Sequence, residues 1–92
     1  MNTYPQLFRL DGRVVLIAGG TGGIGAEIGR AMAAFGARVA IAGRSAEEAA
    51  AVAARIGEGG AQALGVRIDV TDVPSIREAI VTVEASLGPL DV

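Results

Sequence analysis

Five of the seven residues from 19 to 25 are glycine, and this segment has the composition best suited to binding a ligand. It reads Gly19-Gly20-Thr21-Gly22-Gly23-Ile24-Gly25. Glycines let the backbone turn tightly and approach a ligand, and the free amides at a helix start attract anions. The chain contains no lysine, so this is not the lysine-bearing loop of nucleotide triphosphatases. The segment predicts a pyrophosphate-binding loop, and the alternative is a tight turn that simply needs glycine.

The elements on either side of this glycine loop favour the binding interpretation. Residues 13–18 read R-V-V-L-I-A, a continuous apolar run typical of a strand buried on both faces. After the loop, apolar residues recur at i, i+4, i+7, i+8 and i+11 and predict an amphipathic helix that ends at Gly36. These residues are Ile24, Ile28, Ala31, Met32 and Phe35. A strand before the loop and a helix after it are what a phosphate loop requires.

A second strand and a second helix follow. The strand is predicted over residues 39–42, and Ser45 with Glu48 three residues later forms a capping box for the helix. One face of that helix carries the apolar residues Ala49, Val52, Ala53 and Ile56, and the helix ends at Gly57.

A third strand and a third helix complete the alternation. Residues 62–68 alternate in hydropathy with a charge on the outer side, which predicts an edge strand. Asp72 is the predicted cap of the last helix, with Pro74 in its first turn. The apolar face of this helix is formed by Ile76, Ile80, Val83 and Leu87.

This order of elements predicts an α/β protein with a parallel sheet, one half of a Rossmann doubly wound fold. Right-handed crossovers give strand order 3-2-1, with the first two helices on one face and the last on the other. Residues 1–92 are expected to form one domain, and residues 90–92 stand where a fourth strand should begin. We therefore expect a truncated fold whose exposed first-strand edge, at residues 14–18, promotes self-association.

The octapeptide A-G-G-T-G-G-I-G at residues 18–25 resembles the T-G-x-x-x-G-x-G fingerprint of the short-chain dehydrogenase/reductase family. Gly19, Gly23 and Gly25 take its three glycine positions, and Ala18 stands where the family usually has threonine. The spacing of Gly19, Gly22 and Gly25 also resembles the G-x-x-G-x-x-G of the family's extended members. L-D-G-R, D-V-T-D and G-P-L-D-V elsewhere in the chain resemble the compact, single-domain branch instead. The resemblance covers residues 10–92.

The resemblance implies that the chain binds a nicotinamide dinucleotide. The loop residues expected to hold it are Gly19, Thr21, Gly22, Gly23, Ile24 and Gly25. Asp69 matches the aspartate that accepts a hydrogen bond from the adenine amino group in this family, and the backbone of Val70 is expected beside the ring. The alternative is that Asp69, Thr71 and Asp72 simply begin a helix.

Arg44 and Ser45 follow the second strand, where an acidic residue would bind the ribose 2′-hydroxyl of NAD. A guanidinium group suits phosphate oxygens, and a serine hydroxyl at a helix start adds a further polar contact. This favours NADP(H) over NAD(H), and the alternative for Arg44 is an ordinary solvent-exposed side chain.

The residues that carry out the family's hydride transfer are not found in this sequence. The resemblance implies a tyrosine acid/base assisted by lysine, serine and asparagine, but Tyr4 has Phe8 four residues later and the one asparagine is Asn2. We expect no catalytic residue in this chain and no activity from it alone. It is predicted to be the NADP(H)-binding portion of an oxidoreductase, and the alternative is a noncatalytic nucleotide-sensing or assembly module.

Composition argues against several other kinds of protein. Histidine and cysteine are absent, which excludes disulfides, thiolate nucleophiles and the usual zinc sites. The eight basic residues are all arginine and lie scattered from Arg9 to Arg77, so nucleic acid is not an expected partner. No apolar run approaches the roughly 20 residues of a membrane span. A cytoplasmic protein without a metal site is expected.

Overall fold

The computed structural model describes residues 11–19 and 22–92, in which three strands and three helices alternate. They are β1 (Val14–Ala18), α1 (Gly23–Ala34), β2 (Arg38–Gly43), α2 (Ala46–Gly57), β3 (Ala63–Arg67) and α3 (Val73–Leu87). Every predicted element is present, and β2 is one residue longer at each end than expected. No helix in this described part of the chain has the length and apolar character needed to cross a membrane.

The three strands form one parallel sheet with β2 in the middle. Val15 pairs with Val39 and Ile41 pairs with Gly65, so the central strand is in register with both neighbours. The predicted half of a doubly wound fold, with strand order 3-2-1, is thereby confirmed. In a parallel sheet all strands end at the same edge, which brings the segments after β1, β2 and β3 together.

Helices cover both faces of the sheet, and each face has its own apolar core. Helices α1 and α2 pack on one face, where Val15, Val39 and Ile41 meet Val52 and Ile56. Helix α3 packs on the other, with a core formed by Val14, Ala40, Ala42, Val66, Ile68, Ala79, Val83 and Leu87. The predicted apolar face of α2 is confirmed, since all four of its residues are buried.

Helix α1 meets the sheet through small residues, and most of its predicted apolar stripe faces solvent. Gly29 is the buried residue of this helix, and a Cβ atom there would stand 3.0 Å from Ile41 Cδ1 and 3.1 Å from Ile56 Cδ1. Ile24, Ile28 and Phe35 are 81%, 44% and 45% exposed. The amphipathic helix is therefore present with a different buried side. Isoleucines projecting from the sheet and α2 fill the space that a larger side chain at position 29 would need.

The outer edge of β1 is partly paired, which corrects the expectation of an exposed strand edge. The amide of Val14 donates to Asp91 Oδ2 over 2.9 Å, and its carbonyl accepts from the amide of Val92 over 3.1 Å. The amide of Leu16 donates to the carbonyl of Val92 over 2.8 Å. Residues 91 and 92 thus run beside β1, because unpaired backbone groups at a strand edge gain free energy by finding partners.

Contacts at the amino ends of the strands hold the sheet to α3. Arg38, at the start of β2, donates from Nη1 to the carbonyl of Leu87 over 2.6 Å and so satisfies one of the last carbonyls of α3. Arg13 forms an ion pair with Asp91 over 3.6 Å. These structural contacts lie at the edge opposite the glycine loop, and they leave the carboxyl edge of the sheet to other residues.

Candidate functional site

The candidate site is a cleft of about 190 Å³ at the carboxyl edge of the sheet. Its walls come from the end of each strand and are formed by Ala18, Gly19, Ala42, Gly43, Arg44, Ile68 and Val70. A larger depression of about 460 Å³ lies at the amino edge, but none of the predicted site residues line it. Open α/β sheets bind ligands outside the carboxyl ends of their strands. The smaller cleft is therefore the functional candidate.

The glycine loop begins with a left-handed residue that is tied to the neighbouring strand. Gly19 has φ of 76°, and its amide donates to the carbonyl of Ala42 over 2.9 Å. Its carbonyl accepts from the amide of Gly22 over 3.3 Å. Chain neighbours apart, no atom of the described residues lies within 4 Å of where a Cβ would stand on Gly19 or Gly23, so a ligand can approach the backbone here. Thr21, the remaining predicted loop residue, lies outside the described residues.

The start of α1 is free to receive an anion. Gly22 is its N-cap, no side chain in the described part of the chain makes a cap hydrogen bond, and no acidic residue occupies the first turn. The first intrahelical bond runs from the amide of Ala26 to the carbonyl of Gly22. The preceding amides, those of Gly23, Ile24 and Gly25, have no intrahelical acceptor and point along the positive end of the helix dipole. This arrangement fits the pyrophosphate of a dinucleotide.

Arg44 lies on the wall of the cleft with an exposed guanidinium group. Within residues 11–19 and 22–92 it makes no ion pair and no side-chain hydrogen bond. Ser45 is the N-cap of α2, and its Oγ accepts from the amide of Glu48 over 3.2 Å, which confirms the predicted serine cap. That bond uses a lone pair of the hydroxyl and leaves its proton available to donate to a ligand.

Asp69 sits just after β3 with its carboxylate held in one orientation. Oδ1 accepts from the Thr71 hydroxyl over 2.6 Å and from the Thr71 amide over 3.0 Å. These two bonds hold the pKa of Asp69 below its ordinary value, and the bond from the Thr71 hydroxyl has the larger effect. Burial opposes them, and the positive charges of Arg44 and Arg67 reinforce them. A charged, oriented carboxylate is suited to accept a hydrogen bond from an amino group.

Helix α3 begins in a way that the sequence interpretation did not identify. Asp72 occupies the N-cap position as predicted, but its side chain makes no cap hydrogen bond. Ser75 is buried instead: its Oγ accepts from the Asp69 amide over 3.1 Å and lies 2.9 Å from the Asp72 carbonyl oxygen. The sequence signal that could have indicated this contact is a serine three residues after the N-cap Asp72. Ser75 thus links the start of α3 to the backbone of Asp69.

The predicted site residues that the structure describes therefore fall into three groups around one edge. The loop glycines and Ile24 lie after β1, Arg44 and Ser45 after β2, and Asp69 and Val70 after β3. The side chain of Val70 is 66% exposed, and the residue lines the cleft. An anion-binding loop, a cationic side chain and an oriented carboxylate together offer contacts for the phosphates, ribose and base of a nucleotide.

Comparison with protein families and curated proteins gives consistent matches. A family model described as short chain dehydrogenase matches residues 13–92. D-threitol dehydrogenase of Mycolicibacterium smegmatis is 42% identical over 85 residues, which are 92% of this chain and 33% of that protein. Gluconate 5-dehydrogenase of Gluconobacter oxydans is 31% identical over 90 residues, 98% of this chain and 35% of the relative. The chain spans about a third of the length of these relatives.

Solved structures give the same result. A short-chain type dehydrogenase/reductase from Mycobacterium marinum superposes with a TM-score of 0.90 at 36% identity, covering 99% of this chain and 36% of that one. A variant of actinorhodin polyketide ketoreductase with NADPH has a TM-score of 0.80 at 35% identity, covering 86% of this chain and 30% of that one.

Proposed function

This chain belongs to the short-chain dehydrogenase/reductase family, and on that premise we propose that it is the NADP(H)-binding portion of an oxidoreductase. The reaction of the whole protein is hydride transfer between the nicotinamide and a carbonyl or alcohol. The observation that carries the proposal is that Gly19 of the glycine loop, Arg44 and Val70, the residue after Asp69, line one cleft at the carboxyl edge of the sheet.

Each of the three groups of residues is proposed to bind a different part of the cofactor. The amides at the start of α1 bind the pyrophosphate, and the left-handed Gly19 holds the loop against β2 so that those amides face the ligand. Asp69 accepts from the adenine amino group, and the backbone of Val70 lies beside the base. Thr21 is included as a further loop contact on the strength of the sequence alone.

The preference for NADP(H) rests on Arg44. Its guanidinium group makes no ion pair and no side-chain hydrogen bond within the described residues, and it stands where the ribose 2′ position is expected. A 2′-phosphate would give it two parallel hydrogen bonds, whereas a 2′-hydroxyl would leave most of its donors to water. The solved relative with NADPH supports a cofactor of this class.

This chain binds and orients the adenosine and pyrophosphate and supplies no acid or base to the reaction. The bound cofactor supplies the hydride chemistry. Lysine is absent from the sequence, and Tyr4 and Asn2 lie outside the described residues. We expect no oxidation of NADPH with any carbonyl when the 92-residue chain is assayed alone. Cytoplasmic location stays a prediction from the sequence.

A second candidate is a noncatalytic nucleotide-sensing or assembly module that associates with itself beside β1. The exposed Ile24, Ile28 and Phe35 on α1 favour it, because they form an apolar stripe that larger assemblies would bury. Val14 and Leu16 pair with residue 92, which leaves less of the β1 edge free to pair with a second chain. The expected contact between two copies of the chain is therefore the apolar stripe of α1. Light scattering over a range of concentrations tests it, and a monomer at every concentration would contradict it.

The test of the main proposal is calorimetric titration of the purified chain, of confirmed intact mass, with NADPH and NADH. We expect tighter binding of NADPH, and Arg44→Ala should remove the difference while leaving NADH affinity nearly unchanged. Arg55→Ala is the matched control, since Arg55 is an exposed arginine in the last turn of α2, at the end remote from the cleft. Absence of binding by either nucleotide would refute the proposal, and equal affinities would refute the NADP(H) preference.

A further inference from the structure

Arg67, the last residue of β3, is a second arginine beside the end of β2. Arg67 pairs in register with Gly43, the residue that precedes Arg44. The amide of the following residue, Ile68, donates to the carbonyl of Gly43 over 2.8 Å. Neighbouring strands of a sheet are about 4.8 Å apart. The backbone therefore places Arg67 and Arg44 on adjacent strand ends, one residue out of step.

The packing of α2 on β3 shows which part of the helix lies beside Arg67. Gly65 lies directly under α2, where a Cβ atom would come within 2.5 Å of the Ala50 amide nitrogen. Arg67 is two residues further along the same face, about 6.6 Å nearer the carboxyl edge. Helix α2 runs antiparallel to the strands it connects, and 6.6 Å corresponds to about four helical residues. Arg67 is thus level with Ser45 and Ala46, at the beginning of α2.

The charged side chains near Arg67 in the described part of the chain include Arg44 and Asp69. Neither Arg67 nor Arg44 makes an ion pair there, and both guanidinium groups are close enough to Asp69 to lower its pKa. Glu47, in the first turn of α2, lies about 160° around the helix from the buried Ala49 and so projects away from the sheet. A phosphate dianion bound between the ends of β2 and β3 would be attracted by both guanidinium groups.

We propose that Arg67 is a specificity-determining residue that, with Arg44, holds the 2′-phosphate of NADP(H) at the start of α2. This inference rests on the proposed nucleotide function and adds a residue to it. Arg44 approaches the phosphate from the β2 side and Arg67 from the β3 side, so the phosphate is bound between two strand ends. The arrangement supplies a second cation in a chain whose glycine loop contains none.

The experiment measures the affinities of NADPH and NADH for the wild-type chain, Arg67→Gln, Arg67→Lys, Arg44→Gln and the control Arg55→Gln. We expect Arg67→Gln to weaken NADPH binding about threefold to tenfold, while NADH affinity changes less than about twofold. Arg67→Lys should recover most of the loss, because it restores the charge. The effect of Arg67→Gln should shrink as salt is raised, since the contact is solvent-exposed. Circular dichroism checks that each variant is folded.

The outcomes separate this inference from the function on which it rests. If the wild-type chain binds NADPH more tightly than NADH but Arg67→Gln behaves like Arg55→Gln, the inference is wrong and the proposed function stands. An equal loss for both nucleotides would also overturn it, because Arg67 would then act through the adenine contact or the fold. If Arg67→Gln does not fold, the wild-type Arg67 Nε–H resonance decides: it should shift with 2′,5′-ADP and not with 5′-AMP. No binding by the wild-type chain refutes both proposals.

Discussion

Gly65 of β3 lies directly beneath Ala49 of α2, so close that a Cβ atom on Gly65 would stand 2.6 Å from the Ala49 carbonyl oxygen. Helix and strand therefore pack backbone against backbone at this point. Because α2 lies this near the sheet, its first turn lies close to the ends of β2 and β3, and so do Arg44 and Ser45 just before it. The close approach at Gly65 is thus a condition for the geometry of the cleft.

Replacing Gly65 by alanine should lower the free energy of unfolding by about 1–3 kcal/mol, because the new methyl group must push α2 off the sheet. Urea denaturation followed by circular dichroism measures the change. Gly57→Ala is the matched control: it sits in α2 with no atom within 4 Å of its Cβ position, and alanine should leave stability unchanged or raise it by about 0.5–1 kcal/mol. Equal effects at the two positions would show that α2 does not pack this closely.

Ser75→Ala should destabilise the chain by about 1–3 kcal/mol, since it leaves the half-buried amide of Asp69 without its hydroxyl acceptor. The same denaturation experiment measures it. Thr82→Ala provides the comparison, because the Thr82 hydroxyl is exposed and bonds only to the Glu78 carbonyl of its own helix. That variant should differ from wild type by less than about 0.5 kcal/mol. A neutral Ser75→Ala would mean that Ser75 does not hold the start of α3.

The two open glycines of the loop should respond differently to alanine, which tests whether the loop is a binding site or only a turn. Gly19 has φ of 76°, so Gly19→Ala should cost about 1–2 kcal/mol of folding stability through backbone strain. Gly23 is the first residue of α1 and lies in open space, so Gly23→Ala should keep or raise stability. Its methyl group would nevertheless occupy the path of the pyrophosphate and weaken NADPH binding about tenfold or more. Unchanged affinity in Gly23→Ala would favour the simple turn.

Thr71→Val should raise the pKa of Asp69 toward its ordinary value, because it removes the hydroxyl bond that is the largest cause of the lowered pKa. A depressed folded-state pKa contributes stability that is present above the unfolded-state pKa and lost as pH falls through the folded-state one. The acid side of the stability profile, below about pH 4, should therefore be less steep in Thr71→Val. Carbon-detected NMR titration of the Asp69 carboxyl reports the pKa directly. Thr71→Ser keeps a hydroxyl and should titrate like wild type; a shift of the same size in both variants would contradict the assignment.

The sequence alone determined the order of the elements and the sheet edge at which the predicted site residues lie, because both depend on short-range signals. Branched apolar runs predict the strands, glycine ends the first two helices, and a capping serine marks the start of α2. Once the sheet is known to be parallel, the segments after its strands must meet at one edge, which brings Gly19, Arg44 and Asp69 together. This is why residues far apart in the chain could be assigned to one cleft before its geometry was known.

The tertiary structure decided features that depend on what lies opposite a residue. Helical periodicity predicts that α1 has an apolar and a polar side. Three isoleucine Cδ1 atoms lie opposite Gly29, so the side of α1 that carries this glycine meets the core, and Ile24 and Ile28 are exposed. The same holds for Gly65, whose neighbour Ala49 is distant in sequence, and for Ser75, whose buried hydroxyl bonds to the Asp69 backbone while the Asp72 side chain makes no cap bond. Close packing and buried hydrogen bonds join distant segments, so no local pattern records them.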